Sequence, residues 1–176
     1  MHPTGAESRR ICFGEDHGYC CPDGIYIPQP DGTSVHRDDL TNTVTPADIL
    51  RYAALYLYRH GWHQGDMFAD PDQPTPPACA QGAIRMAVCG SPTVAYTADT
   101  SLMVDRAIGE FACWLAWNDP GYLDEFKQFD LHDDDTALDQ VAGDWNDEPD
   151  RTADEVIAAL NAAADSWDRI HPGGAQ

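Results

Sequence analysis

Apolar residues recur at helical spacing along most of this chain after residue 44, and the strongest runs carry written start signals. In Thr45-Pro46-Ala47-Asp48 the threonine suits an N-cap, the proline the first helical position, and the aspartate the positive end of the helix dipole. Ile49, Leu50, Ala53, Ala54 and Leu57 then share one face, which predicts a helix over 46–60. Gly61 is placed to end it in a left-handed cap, and Trp62 to fold back onto the same face. Ala80, Ala83, Ile84, Ala87 and Val88 predict a second helix over 77–89, stopped by Gly90-Ser91-Pro92, in which Gly82 permits close approach of another backbone. Leu102, Ala107, Ile108, Phe111 and Leu115 predict a third over 101–117, ended by Asn118-Asp119-Pro120-Gly121.

The last helix is the best defined. Thr152 and Glu155 form a capping box, with Asp154 and Glu155 in the first turn, ahead of Val156, Leu160, Ala163, Trp167 and Ile170. Between the third helix and this one, 122–142 predicts a short helix holding Leu123, Phe126 and Phe129, then another around 136–141. Trp117-Asn118-Asp119-Pro120 and Trp145-Asn146-Asp147-Glu148-Pro149 echo each other. In each, the indole is expected to anchor the chain to the core while Asn and Asp organise the turn beyond it.

Residues 1–44 read differently. Pro22-Asp23-Gly24 and Pro30-Asp31-Gly32 flank the β-prone run Ile25-Tyr26-Ile27, which predicts an irregular arm holding a short β-hairpin. The segment 65–77, with Pro71, Pro74, Pro76 and Pro77, predicts a linking loop that leaves its two helices room to reorient. The pattern therefore defines a mainly α protein: an arm over 1–44 and one domain of four or five helices over 45–176. Its expected core is Leu50, Leu57, Ile84, Val88, Ile108, Phe111, Leu115, Val156, Leu160 and Trp167.

Charge changes the picture next. Thirty Asp and Glu against 10 Lys and Arg give a formal net charge of −20. Sequence-independent binding to nucleic acid requires clustered basic residues to neutralise phosphates, so direct DNA or RNA binding is disfavoured. The basic residues include a single lysine, Lys127, which a GC-rich coding sequence explains; adaptation to high salt, where a dense carboxylate surface aids solubility, is the sharper alternative. A polar start and the lack of any apolar run of about 18 residues predict neither a secretory signal nor a membrane span, hence a cytoplasmic protein with reduced thiols.

Three blocks carry a resemblance: Arg59-His60-Gly61-Trp62-His63-Gln64-Gly65, Cys79-Ala80-Gln81-Gly82-Ala83-Ile84, and Trp145-Asn146-Asp147 leading into Arg151-Thr152-Ala153-Asp154-Glu155. Over about 45–167 the chain resembles a family of uncharacterised small, mainly helical proteins of high-GC actinobacteria and their phages. The resemblance implies a helical domain and such an origin. It implies no activity, cofactor or catalytic residue.

Candidate chemistry is sparse, and each motif has a plainer reading. Cys12, His17, Cys20 and Cys21, with His36 in reserve, are the candidate zinc ligands, since a turn-rich arm without its own core is what a metal would order. Adjacent Cys20 and Cys21 point to opposite sides of an extended chain, which favours ordinary thiols there. Cys79, at the start of the second helix, is the candidate nucleophile, its thiolate favoured by the dipole and His60 or His63 as base; a small core residue is the plainer reading. His132-Asp133-Asp134-Asp135 is oxygen-rich, but consecutive carboxylates diverge and repel, so a solvated loop explains it. No phosphate-cradling loop, nucleophile elbow or His-Glu-x-x-His helix occurs.

From Asp119 to Asp150 stand twelve carboxylates and one lysine, interrupted by aromatic residues. Such a surface steers towards basic protein partners. Tyr122, Phe126, Phe129, Asp133, Asp134 and Asp135 are its candidate contact residues. The expectation is a non-catalytic, acidic protein that binds a cellular protein partner, with no cofactor unless zinc in the arm. The alternatives are a metal-ordered or hydrolytic protein using the Cys and His positions, and an inhibitor that imitates nucleic acid.

Overall fold

The computed structural model describes residues 44–119 and 135–172, together with the backbone of two short strands. Those strands, β1 (Tyr26–Pro28) and β2 (Ser34–His36), pair antiparallel with Ile27 opposite Val35, the hairpin expected of the arm. Five helices follow among the described residues: α1 (Pro46–His60), α2 (Ala80–Cys89), α3 (Ala98–Asn118), α4 (Asp135–Asn146) and α5 (Ala153–Ile170). The fold is mainly α.

The capping signals explain the best-predicted boundaries. Thr45 accepts from the Asp48 backbone N–H while Asp48 accepts from that of Thr45, and the same reciprocal box joins Thr152 and Glu155. A third box, Thr97 with Thr100, starts α3 at Ala98, a turn earlier than the apolar stripe predicts. Helix α2 starts at Ala80, later than expected. Cys79 is held extended because its N–H bonds to Met67 O, 3.1 Å away, and Ala78 N–H bonds to Gly61 O. Gly61 does have positive φ, 98°, but with ψ 154° it lies in an extended region open to glycine alone instead of the left-handed helical one.

Helix α1 packs chiefly against α5 and α2, and α3 against α4, and one continuous core joins the three helices to the pair. Of the expected core residues, all but Val88 are buried, and Val88 packs against the core half-buried. Thr152→Ala is expected to lower the unfolding free energy by about 1 kcal/mol by removing the α5 cap, and Leu160→Ala by about 2–5 kcal/mol by opening a cavity. Urea denaturation of the two variants checks both; no change in either midpoint would contradict this account of α5. No helix among the described residues is long and apolar enough to cross a membrane.

The proline-rich segment between α1 and α2 is not a free linker. Trp62 and Phe68 each form a β-bridge to Ala78, so the loop folds back on itself, and Phe68 is buried. Tyr56 of α1 donates its hydroxyl to Pro76 O at 2.6 Å. The expected freedom of α1 and α2 to reorient is replaced by a pinned loop because the prolines, though they lack the N–H that a helix interior needs, keep carbonyls that accept hydrogen bonds.

Candidate functional site

The three sequence blocks, far apart in the chain, meet around one side chain. Asn146 ends α4 and is only 1% exposed. Its Oδ1 accepts from Trp62 Nε1 at 2.8 Å and from the Ala80 backbone N–H at 3.1 Å. Its Nδ2 donates to His63 O at 3.3 Å and to Asp147 Oδ1 at 2.7 Å. Two donors face one end of the amide and two acceptors the other, which fixes its orientation and fills all four of its hydrogen-bonding positions.

The surroundings extend this arrangement. Gln64 Nε2 donates to the carbonyls of Asn146 (3.0 Å) and Glu148 (2.8 Å), and the Gly65 N–H donates to Asp147 Oδ1 at 2.9 Å. Residues 62–65 are thereby tied to the junction of α4 and α5. Trp145, one position earlier, is buried against Phe111, edge to face at 5.9 Å, and carries the Arg151 guanidinium over its ring at 3.8 Å. Arg151 also pairs with Glu148 and donates from Nε to Trp145 O. Three interactions of Arg151 and the Trp145 indole thus fix the turn that leads into the α5 cap.

The echo of Trp-Asn-Asp is only half repeated in space. Trp145 does anchor to the core as expected, but from within the last turn of α4, which runs to Asn146 instead of stopping near 141. Trp117, in contrast, is 44% exposed.

Cys79 does not have the electrostatics expected of a nucleophile. It is buried, and burial pushes its thiol up from the ordinary value, outweighing the hydrogen bond that Sγ accepts from the Gly82 N–H at 3.3 Å. The negative charge of Asp147 raises it further. The dipole argument is overturned by burial: as the N-cap, Cys79 accepts from the helix's unsatisfied N–H groups, which favours the thiolate, but the dry setting disfavours the charged form more strongly. His60 is exposed and lies against the Tyr56 ring at 4.6 Å, and no hydrogen bond joins an imidazole to Cys79 among the described residues.

Cys12, His17, Cys20 and Cys21 lie outside the described residues, as do Tyr122, Phe126, Phe129, Asp133 and Asp134; Asp135 begins α4. His36 belongs to β2. Among the described residues no group of three His, Cys, Asp or Glu side chains is placed to hold a metal. Asn146 was not legible as a hub. Its one sequence signal was its place in the Trp145-Asn146-Asp147 block.

The geometry defines a small helical protein whose interhelical loop is locked onto the α4–α5 junction by a saturated buried asparagine. The chain belongs to a family of unknown function, DUF6197, whose model matches residues 41–166 and so takes in all three blocks. No curated protein and no solved structure matches the chain.

Proposed function

We propose that this chain is a non-catalytic, acidic interaction protein that acts by binding a basic protein partner in the cytoplasm of a high-GC actinobacterium or of a cell infected by its phage. The observation that carries this reading is Trp117, 44% exposed at the end of α3, where the chain enters the stretch with twelve carboxylates between Asp119 and Asp150. An exposed indole beside dense negative charge supplies an apolar anchor and a steering field together. The composition, with one lysine among ten basic residues, supports the origin.

Affinity capture from host lysate with the tagged full-length chain, at low and at high ionic strength, tests the reading. A stoichiometric basic protein is expected, lost by about tenfold or more at high salt, where screening shortens the Debye length to about 3 Å at 1 M. Trp117→Ala should weaken capture at both salt concentrations. Capture of nothing, or of a protein indifferent to both salt and Trp117, would overturn it.

A further inference from the structure

We propose that two copies of this chain form an antiparallel two-fold dimer through the outer face of α1. The sequence of that face is palindromic about Leu55: Arg51-Tyr52-x-x-Leu55-x-x-Tyr58-Arg59. At about 100° per residue these five positions occupy an arc of about 120° centred on Leu55, opposite the face that Leu50, Ala53 and Leu57 bury in the core. Tyr52 is 59%, Leu55 39% and Tyr58 78% exposed, a run of large exposed side chains on one face of α1. Beyond Asp48 the helix has no carboxylate, which sets it apart from the rest of a chain with net charge −20.

Two-fold association requires a patch that complements itself, and here the helical geometry supplies the matching. Tyr58 and Arg51 lie to one side of Leu55, and Tyr52 and Arg59 to the other. A two-fold axis crossing the seam at Leu55 reverses the helix direction but keeps each side on its side. The second copy's Tyr58 then comes level with Arg51, and its Arg59 level with Tyr52, within about one residue rise of 1.5 Å. Each arginine meets a tyrosine ring, and Leu55 meets its own copy.

The alternative two-fold arrangement, with parallel helices, sets each residue level with its own copy, so that Arg59 meets Arg59, like charge beside like charge, and neither arginine meets a tyrosine at its own level. Arginine and tyrosine are the residues enriched where interfaces bind most strongly. The same chain already uses arginine over aromatic rings within its fold, Arg85 over Tyr96 at 4.1 Å and Arg151 over Trp145. Arg51 is preorganised for this role, since Asp165 and Asp168 of α5 hold its guanidinium at 2.7 and 2.6 Å. Arg59 makes no ion pair among the described residues and is left for a partner.

Five side chains on one helix cover less than the roughly 800 Å² per partner of a standard interface, so the dimer is reversible and depends on concentration. Because both copies are strongly acidic, salt should tighten it by screening their mutual repulsion. That is opposite to the effect expected for a basic partner. Failure of either proposal therefore leaves the other standing.

Sedimentation equilibrium of the full-length chain over a range of concentrations, at low and high salt, tests the dimer. The expected result is a monomer–dimer equilibrium that strengthens with salt and weakens about tenfold or more in Leu55→Asp and in Arg59→Glu. Thermal unfolding of both variants should match the unsubstituted chain, because both positions face away from the core, and Arg59→Glu keeps the test sound if Leu55→Asp is destabilised. A chain monomeric at every concentration, or a dimer unmoved by both folded variants, would overturn the proposal.

Discussion

Asn146→Ala is expected to lower the unfolding free energy by about 3–5 kcal/mol, more than an average core truncation of similar size. The side chain is small, so lost burial is a minor part of that figure. The larger part comes from what remains behind: the Trp62 indole N–H, the Ala80 N–H and the His63 carbonyl all lose a partner. Each buried polar group left unsatisfied costs about 1–3 kcal/mol, partly offset where the loop relaxes and admits water.

Asn146→Asp should be no milder. It keeps the acceptor for Trp62 and Ala80, but it directs a carboxylate oxygen at His63 O and Asp147 Oδ1, where Nδ2 now donates. Urea denaturation measures the loss, and hydrogen exchange locates it. Protection should fall first in residues 61–79, the segment tied down through Trp62, His63 and Gln64. If Asn146→Ala unfolds at the midpoint of the unsubstituted chain with that segment still protected, the node is not what holds the loop.

Gly82→Ala should be destabilising by about 2–4 kcal/mol, although helix propensity alone favours alanine by about 0.5–1 kcal/mol. A Cβ at Gly82 would overlap the Met67 carbonyl oxygen and lie 3.0 Å from Met67 Cγ and 3.1 Å from Ala78 Cβ. The first of these is backbone and has little room to retreat, because the same oxygen accepts the Cys79 N–H. Relief of the clash breaks the bond that keeps Cys79 extended, and with it the start of α2.

Gly143, in α4, provides the control. Among the described residues a Cβ there meets only Gln81 Oε1, at 3.6 Å, so Gly143→Ala should be neutral or stabilise by up to about 1 kcal/mol. Thermal unfolding of the two variants side by side separates sterics from propensity. Equal midpoints would mean that the Met67 loop yields more readily than its hydrogen bonds imply.

What the sequence determined by itself was local. A capping box occupies four consecutive residues, and so Thr45 and Thr152 marked the starts of α1 and α5 correctly. Apolar stripes repeat within one helix, which made nearly all of the core legible. Even the close approach at Gly82 was foreseeable as a possibility of backbone on backbone, though not its partner, Met67.

The tertiary structure decided whatever depends on residues distant in the chain. Asn146 and Trp62 are 84 positions apart, and neither sequence block shows that the other satisfies it. Cys79 gave the local signal of an activated thiol, but its burial in the folded chain reversed the sign of its shift. Trp117-Asn118-Asp119 and Trp145-Asn146-Asp147 are the same three residues in the same order, and local propensity cannot tell them apart. Phe111 and Arg151 lie against the second indole and bury it, whereas the first stays exposed at the end of α3. Burial depends on which surfaces the fold brings together, and that information lies outside either tripeptide.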